Sequence, residues 1–330
     1  MRWLPLLFAL LLALPAQAAD HMRAAVVAAG RIKVLQVERP VPGPGQVLVR
    51  LQYAGVNPVD WKSPAGAADE PGAAPAVTAP SIPGVEGSGT ISALGRSVSG
   101  LHVGDPVLLW SQGRGTYAQY VAVPAGAVLL KPAALPFAEA AGLPHAGLAA
   151  WDMLVDQAQV RAGQTVLVLG GAGGVGSAAV QIAVARGARV TATASARNAD
   201  YVRGLGATSV IDYTRQHFED QLRDVDVAID TVDLDNAYRA LAVVRRGGIL
   251  VSTVGVPEPA QCLARGVTCL RRAKGATPVR TVLKQLTDWT SARRFRVNVD
   301  RSFDLPQVLA AWQYSQAGQV RGKAVIRIGD

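Results

Sequence analysis

The sequence predicts an α/β chain in which a β-rich portion precedes a doubly wound parallel sheet. Three observations predict it. Residues 23 to 53 carry short apolar bursts divided by Gly and Pro. The texture turns Ala-rich and helical near Pro136, and from Thr165 onward apolar strand-like runs alternate with helical ones. Apolar strands separated by helices belong to βαβ units whose sheet is covered on both faces.

In chain order, AAVV and IKVLQV read as the first strands, and VLVRLQY follows the turn Pro42-Gly43-Pro44-Gly45. Within VLVRLQY, Val47, Val49, Leu51 and Tyr53 share one face, with Arg50 and Gln52 opposite, as in a half-buried strand. Pro64 to Pro83 is rich in Ala, Pro and Gly without a sustained period and reads as a loop. Strand-like pieces resume at TISAL, DPVLLW and YAQYVAV. FAEAAGLPHAGLAAWDMLV is helical in period and broken at Pro144. TVLVLG, RVTATAS, SVIDY, VDVAIDTV and GGILVSTVG then supply the strands of the second unit, with helical stretches between them. The chain closes with a helix-like LPQVLAAWQYSQAG and the strand KAVIRI.

Composition bounds the function. A chain of 330 residues, 50% of them hydrophobic and 17% charged, has room for two domains and is not a disordered polymer. The formal charge is +9, but the arginines are scattered and the clusters are no larger than Arg245-Arg246, Arg271-Arg272 and Arg293-Arg294. No basic stripe with interleaved aromatics appears, so nucleic acid is not an expected partner, and attraction of an anionic cofactor accounts for the excess equally well. The two cysteines, Cys262 and Cys269, and the four histidines form no metal-ligand spacing. A disulfide is permitted in an oxidising compartment, although two thiols in a chain of this length are more often simply buried.

The N-terminus carries Arg2, an apolar stretch from Leu4 to Leu14 and the A-x-A site Ala16-Gln17-Ala18, the three parts of a secretory signal over residues 1–18. The stretch is too short for a stable membrane span. Removing residues 1–18 takes away Arg2 and lowers the formal charge from +9 to +8. The alternative is a chain that starts at Met22. The protein is periplasmic or secreted if the leader is used and cytoplasmic otherwise.

VLVLGGAGGVGSAAVQIAVARGARV is the most informative segment. Val166 to Leu169 reads as a buried strand, Ser177 to Arg186 as a helix, and between them Gly171, Gly173 and Gly176 satisfy G-x-G-x-x-G. The first glycine permits the tight turn, the second lets backbone approach a pyrophosphate, and the third allows close helix packing. The helix N-terminus then offers unpaired N–H groups and a partial positive charge to the phosphates. Strand, turn, helix and next strand follow in order, which is the context of a Rossmann dinucleotide site. Where an NAD site ends its second strand with an acid, TATASARNAD has Ser195 and Arg197, a hydroxyl and a guanidinium suited to a 2′-phosphate. NADPH is the expected cofactor.

These segments, together with VPGPGQVLVRLQYAGVNPVDWK, IPGVEGSGTI, VGDPVLL, GTYAQYVAVPA, ATSVIDYT and RGKAVIRI, resemble the medium-chain dehydrogenase/reductase superfamily. Within it, the chain is most similar to the zinc-independent, NADPH-dependent quinone oxidoreductase-like branch. The likeness runs from Met22 to Ile328. It implies a GroES-like catalytic domain over 22–146, a Rossmann domain over 147–283 and a C-terminal return over 284–330, with the active site in the cleft between them. A homodimer is also implied.

In zinc-dependent relatives a catalytic Cys precedes the Asp and a Gly-His-Glu motif follows. Here Asn57-Pro58-Val59-Asp60 and Gly84-Val85-Glu86-Gly87 stand instead, so alcohol oxidation through a zinc alkoxide is not expected. The resemblance further implies that Asn57 lies beside the nicotinamide and that Ala172, Gly173, Gly174 and Val175 cover the pyrophosphate. It implies Ser195, Arg197 and Tyr213 around the 2′-phosphate, Thr253, Val254 and Gly255 along the nicotinamide pocket, and Lys323 at a cofactor phosphate. Ala149 stands where relatives often have Thr, and the loop 64–80 has no Tyr to place over a substrate.

The expected reaction is hydride delivery from NADPH to a quinone or another α,β-unsaturated carbonyl acceptor. The alternatives are an enoyl or 2-alkenal double-bond reductase and an NADPH-binding protein without turnover. His145, in LPHAG, is expected to be structural, and the Tyr-x-x-x-Lys pair of short-chain reductases is absent.

Overall fold

The computed structural model describes residues 20–62, 80–111 and 115–329. The leader over residues 1–18 lies outside the described residues, as does most of the Ala/Pro-rich loop, residues 63–79.

The β-rich portion opens with a two-stranded antiparallel pair, β1 (His21–Ala28) and β2 (Arg31–Glu38). It continues through β3 (Gln46–Val56), α1 (Pro58–Lys62), β4 (Glu86–Leu94), β5 (Pro106–Trp110), β6 (Tyr120–Pro124) and β7 (Val128–Leu130). Helices α2 (Phe137–Ala141) and α3 (Pro144–Trp151) follow, with Pro144 in the first turn of α3, where its missing N–H costs nothing. A π-helical turn, Asp152–Gln157, extends α3.

The parallel unit is β8 (Thr165–Leu169), α4 (Gly174–Ala185), β9 (Arg189–Ala194), α5 (Ala199–Arg203), β10 (Ser209–Asp212), α6 (Phe218–Gln221), β11 (Val225–Asp230), α7 (Leu234–Leu241), β12 (Val244–Ser252), α8 (Pro259–Arg265) and β13 (Thr268–Arg271). Its six strands run in the order β10-β9-β8-β11-β12-β13, every pairing parallel. The chain winds outward from β8 in one direction and then from β11 in the other. The crevice at the carboxyl ends of β8 and β11 is therefore the switch point where such sheets bind ligands. Strand β8 is buried from Val166 to Leu169, as its unbroken apolar run requires.

After α9 (Val279–Ser291) the chain returns. Strands β14 (Val299–Asp304) and β15 (Lys323–Arg327), with α10 (Val308–Gln316) between them, complete a sheet of order β14-β15-β3-β4-β5-β7, and β6 pairs with β3 off that path. Strand β15 lies antiparallel to β3, with Ala324 opposite Val56, which brings Lys323 beside Asn57. The return also stitches itself to the Gly-rich turn: Gly322 N donates to Ala172 O across 2.8 Å.

The cysteines are not merely buried thiols. Cys262, on α8, and Cys269, on β13, form a disulfide that ties the edge strand of the parallel sheet to the helix preceding it. Among the described residues no helix is long and apolar enough to cross a membrane, and no group of three or more His, Cys, Asp or Glu could hold a metal ion.

Candidate active site

One cleft of about 1080 Å³ runs between the two sheets. Ser195, Arg197 and Tyr213 line one end, Gly173, Gly174 and Val175 its middle, and Asn57, His145, Thr253, Val254 and Lys323 the other. Of the residues expected at the site, Ala172 also lines the cleft, while Gly171, Gly176 and Gly255 do not.

The turn after β8 is built by sterics. Helix α4 begins at Gly174, three residues before the expected Ser177, with Gly173 as an extended N-cap. No side chain caps the helix, so its first-turn N–H groups remain available to a ligand. A Cβ on Gly176 would lie 2.1 Å from Gly170 O, and one on Gly171 would lie 2.8 Å from Ala192 Cβ. Both positions must be glycine for strand and helix to pack this closely.

At the far end of β9, Arg197 is exposed and directs its guanidinium across the cleft, with Nη2 donating to Gln319 O at 3.1 Å and Nη1 to Gln319 Oε1 at 3.3 Å. Arg321 donates from Nε to Asn198 Oδ1 at 2.8 Å and from Nη2 to Arg197 O at 3.0 Å. The return segment thus braces the loop that carries Ser195 and Arg197.

The opposite end contains a buried charged network. Asn57 Nδ2 donates to Glu86 Oε1 at 2.8 Å, and Lys323 Nζ donates to Glu86 Oε1 at 2.8 Å, to Val56 O at 3.1 Å and to Asn57 Oδ1. The second carboxylate oxygen of Glu86 accepts from His145 N at 2.7 Å, in the first turn of α3. Lys323 was expected at a cofactor phosphate. Its ammonium lies at the Asn57 end, where three acceptors converge. The His145 ring is held well below the usual imidazole range by burial first, then by the positive charges of Lys323 and Arg272. It is neutral near pH 7.

Besides Glu86, two buried acids shape the site that were not among the expected site residues. Asp60 accepts from Tyr117 Oη at 2.8 Å and from Asn57 N at 2.7 Å, and it fixes the turn that presents Asn57. Burial pushes its carboxyl up to about 7 against these hydrogen bonds and the Lys323 charge. The same burial, with the Asp60 charge beside it, drives the Tyr117 phenol well above its ordinary range. Asp230, at the carboxyl end of β11, accepts from Ser252 Oγ at 2.7 Å and from Val232 N at 3.0 Å. Ser252 Oγ in turn accepts from Val254 N at 3.1 Å, so this pair shapes the Thr253–Gly255 wall. Burial raises the Asp230 carboxyl. An acid closing the apolar run VAID, at the carboxyl end of the strand, was the available signal.

Comparisons with known proteins agree with this geometry. Residues 43–133 match the family described as alcohol dehydrogenase GroES-like domain, and residues 205–326 match that described as zinc-binding dehydrogenase. Residues 152–247 match the C-terminal domain of the alanine dehydrogenase/PNT family. The chain is 34% identical to 2-methylene-furan-3-one reductase of Solanum lycopersicum over 90% of this chain and 76% of that one. It is 33% identical to the chloroplastic NADPH-dependent alkenal/one oxidoreductase of Arabidopsis thaliana, over 90% and 77%. The structure of the quinone oxidoreductase from Coxiella burnetii superposes with a TM-score of 0.81 at 28% identity, covering 94% of this chain and all of that one. A GroES-like sheet, a six-stranded parallel sheet with its glycine cradle, and relatives of this extent lead to one conclusion: the chain belongs to the medium-chain dehydrogenase/reductase superfamily, in its quinone-oxidoreductase-like branch.

Proposed function

We propose that the protein is a zinc-independent, NADPH-dependent oxidoreductase that reduces quinones or other α,β-unsaturated carbonyl compounds. One observation carries the reading: a single cleft joins a glycine cradle with free helix N–H groups to an Arg197 end and an Asn57 end. Bound NADPH supplies the hydride. The first turn of α4 holds the pyrophosphate, and Ser195, Arg197 and Tyr213 take the 2′-phosphate. Thr253 and Val254, with Gly255 next in the chain, would hold the nicotinamide at the end of the cleft that Asn57 also lines. Polar groups at that end stabilise the oxyanion that develops on the acceptor, and its proton comes from solvent.

A zinc ion does not fit this donor set. Asn57 and Val85 offer neither thiolate nor imidazole, and Asn57 Oδ1 and Glu86 Oε1 are already turned onto the Lys323 ammonium.

The names of the plant relatives, a 2-methylene-furan-3-one reductase and an alkenal/one oxidoreductase, support an α,β-unsaturated carbonyl as one acceptor class. A panel of quinones and enals against NADPH and NADH tests the reading. Oxidation of NADPH, in preference to NADH, by at least one acceptor class is expected. Tight NADPH binding without oxidation by any acceptor would leave a binding protein and overturn the enzyme.

The Cys262–Cys269 disulfide supports the exported form of the protein, since such bonds persist in oxidising compartments. NADPH is a cytoplasmic currency, so export would separate the cradle from its ligand. Cell fractionation with N-terminal sequencing distinguishes a periplasmic chain that starts at Ala19 from a cytoplasmic one. Light scattering tests the homodimer.

A further inference from the structure

We infer that Lys323 and Glu86 are positioning residues that lock the Asn57 side-chain amide in one orientation, leaving a single free N–H on Nδ2 for a carbonyl oxygen in the cleft. The inference rests on the reductase reading given above.

Asn57 has two amide protons and an oxygen with two lone pairs. Glu86 Oε1 accepts one proton at 2.8 Å, and Lys323 Nζ donates to Oδ1. A flipped amide would set its NH₂ against the ammonium and its oxygen against the carboxylate, so both contacts oppose the flip. All three ammonium protons are spent, on Val56 O, Asn57 Oδ1 and Glu86 Oε1. Lys323 therefore has no proton left for a ligand, and its effect on the cleft passes through Asn57.

The surroundings are shaped to hold this pair. A Cβ on Gly55 would lie 2.2 Å from Glu86 Oε1 and 2.7 Å from Ala141 O, so β3 must be bare there to admit the carboxylate. A Cβ on Gly142 would lie 3.0 Å from Lys323 Cγ, and one on Gly174 would lie 3.0 Å from Lys323 Cδ. The lysine stem thus passes beside the start of the phosphate cradle and delivers its charge beyond it. Glu86 is fixed from its other oxygen by His145 N, at the N-terminus of α3, where a helix favours negative charge. A buried ion pair is weak support for a fold, because well-packed apolar residues often serve as well. A pair whose members both grip one amide in the cleft has a different use.

The test compares Lys323→Met, Asn57→Ala and their combination in the full-length protein, reading NADPH affinity by fluorescence titration and acceptor kinetics separately. Lys323→Met is expected to change the NADPH Kd by less than about threefold and to lower kcat/KM for the acceptor by about 10- to 100-fold. In the Asn57→Ala background it is expected to cost nothing further. A tenfold or greater loss of NADPH affinity, or a loss that adds in full to that of Asn57→Ala, would overturn the inference. Because Lys323→Met leaves Glu86 buried without its partner, the neutral pair Glu86→Gln/Lys323→Met is made as well. Wild-type acceptor kinetics in that pair would make the ion pair purely structural. If the wild-type protein oxidises no NADPH, the reductase reading fails by itself. The inference is then decided by the Asn57 side-chain amide resonance, which shifts and exchanges faster with solvent in the pair if the clamp exists and is unchanged if it does not.

Discussion

Tyr117 donates its hydroxyl to Oδ2 of Asp60 across 2.8 Å, with both side chains buried behind the turn that carries Asn57. The pair has a pH signature. An unfolded Asp ionises near 3.8, whereas folded Asp60 holds its proton up to about 7. Between those values the unfolded chain has released a proton that the folded chain keeps, so stability falls as pH rises, by about 1.4 kcal/mol per unit at most. The effect is absent below pH 4 and complete above pH 7. Asp60→Asn retains an oxygen for Tyr117 and the Asn57 N–H while removing the titration. Its Tm relative to wild type should climb from pH 5 to pH 7.5, and thermal melts across that range check it. A constant difference would mean that Asp60 ionises normally.

Arg197 gives a cofactor prediction. Its guanidinium spans the cleft to Gln319 and sits in an exposed loop, where a 2′-phosphate can recruit it without burying a charge. Charge-assisted hydrogen bonds contribute about 1.5–3 kcal/mol, so Arg197→Ala should weaken NADPH by about 10- to 100-fold. NADH, which lacks that phosphate, should change little. Titration with both cofactors reads the ratio, and equal losses would reject the assignment.

Gly176 tests the cradle. The Cβ of Gly176→Ala would fall 2.1 Å from Gly170 O, a backbone atom that cannot swing away. The variant should lose about 1–3 kcal/mol of stability, as overpacked sites do, and NADPH should raise its Tm less than it raises that of wild type. Gly173→Ala is the contrast, since its Cβ would have only Gly170 O within reach, at 3.6 Å. It should fold normally.

The fold was legible where periodicity is strong. Val166–Leu169 and the glycine pattern announced the parallel unit because a strand buried on both faces must be apolar throughout. Strands β13 and β14 were not legible. TCLR is a short edge strand, and in VDRSFD only Phe303 is buried, so neither carries an alternating pattern. The cofactor end of the site followed local order along the chain. The Asn57 end did not, because Glu86, Tyr117 and Lys323 come from distant segments that only sheet pairing unites. The resemblance implied Lys323 at a cofactor phosphate, and its neighbour Gly322 does meet the cradle; the direction of a long side chain is set by acceptors that sequence does not display.

The Cys262–Cys269 disulfide closes a short loop between α8 and the edge strand β13. Loop entropy for a separation of 7 residues amounts to about 2–3 kcal/mol. Reduction, or Cys262→Ala with Cys269→Ala, should therefore lower the urea midpoint accordingly. Thiol titration of the protein purified without reductant should find no free thiol before reduction and two after it. Two free thiols at the start would remove the support for an oxidising compartment.

Hydride transfer from NADPH within the cleft can be followed by isotope transfer. The protein is incubated with a simple enone and NADPH deuterated at C4 on either face. The expected product is a saturated ketone carrying deuterium on its β-carbon from one face, with a primary isotope effect from that same face when a quinone replaces the enone. An unlabelled product, or NADPH left unoxidised by both acceptors, would contradict it.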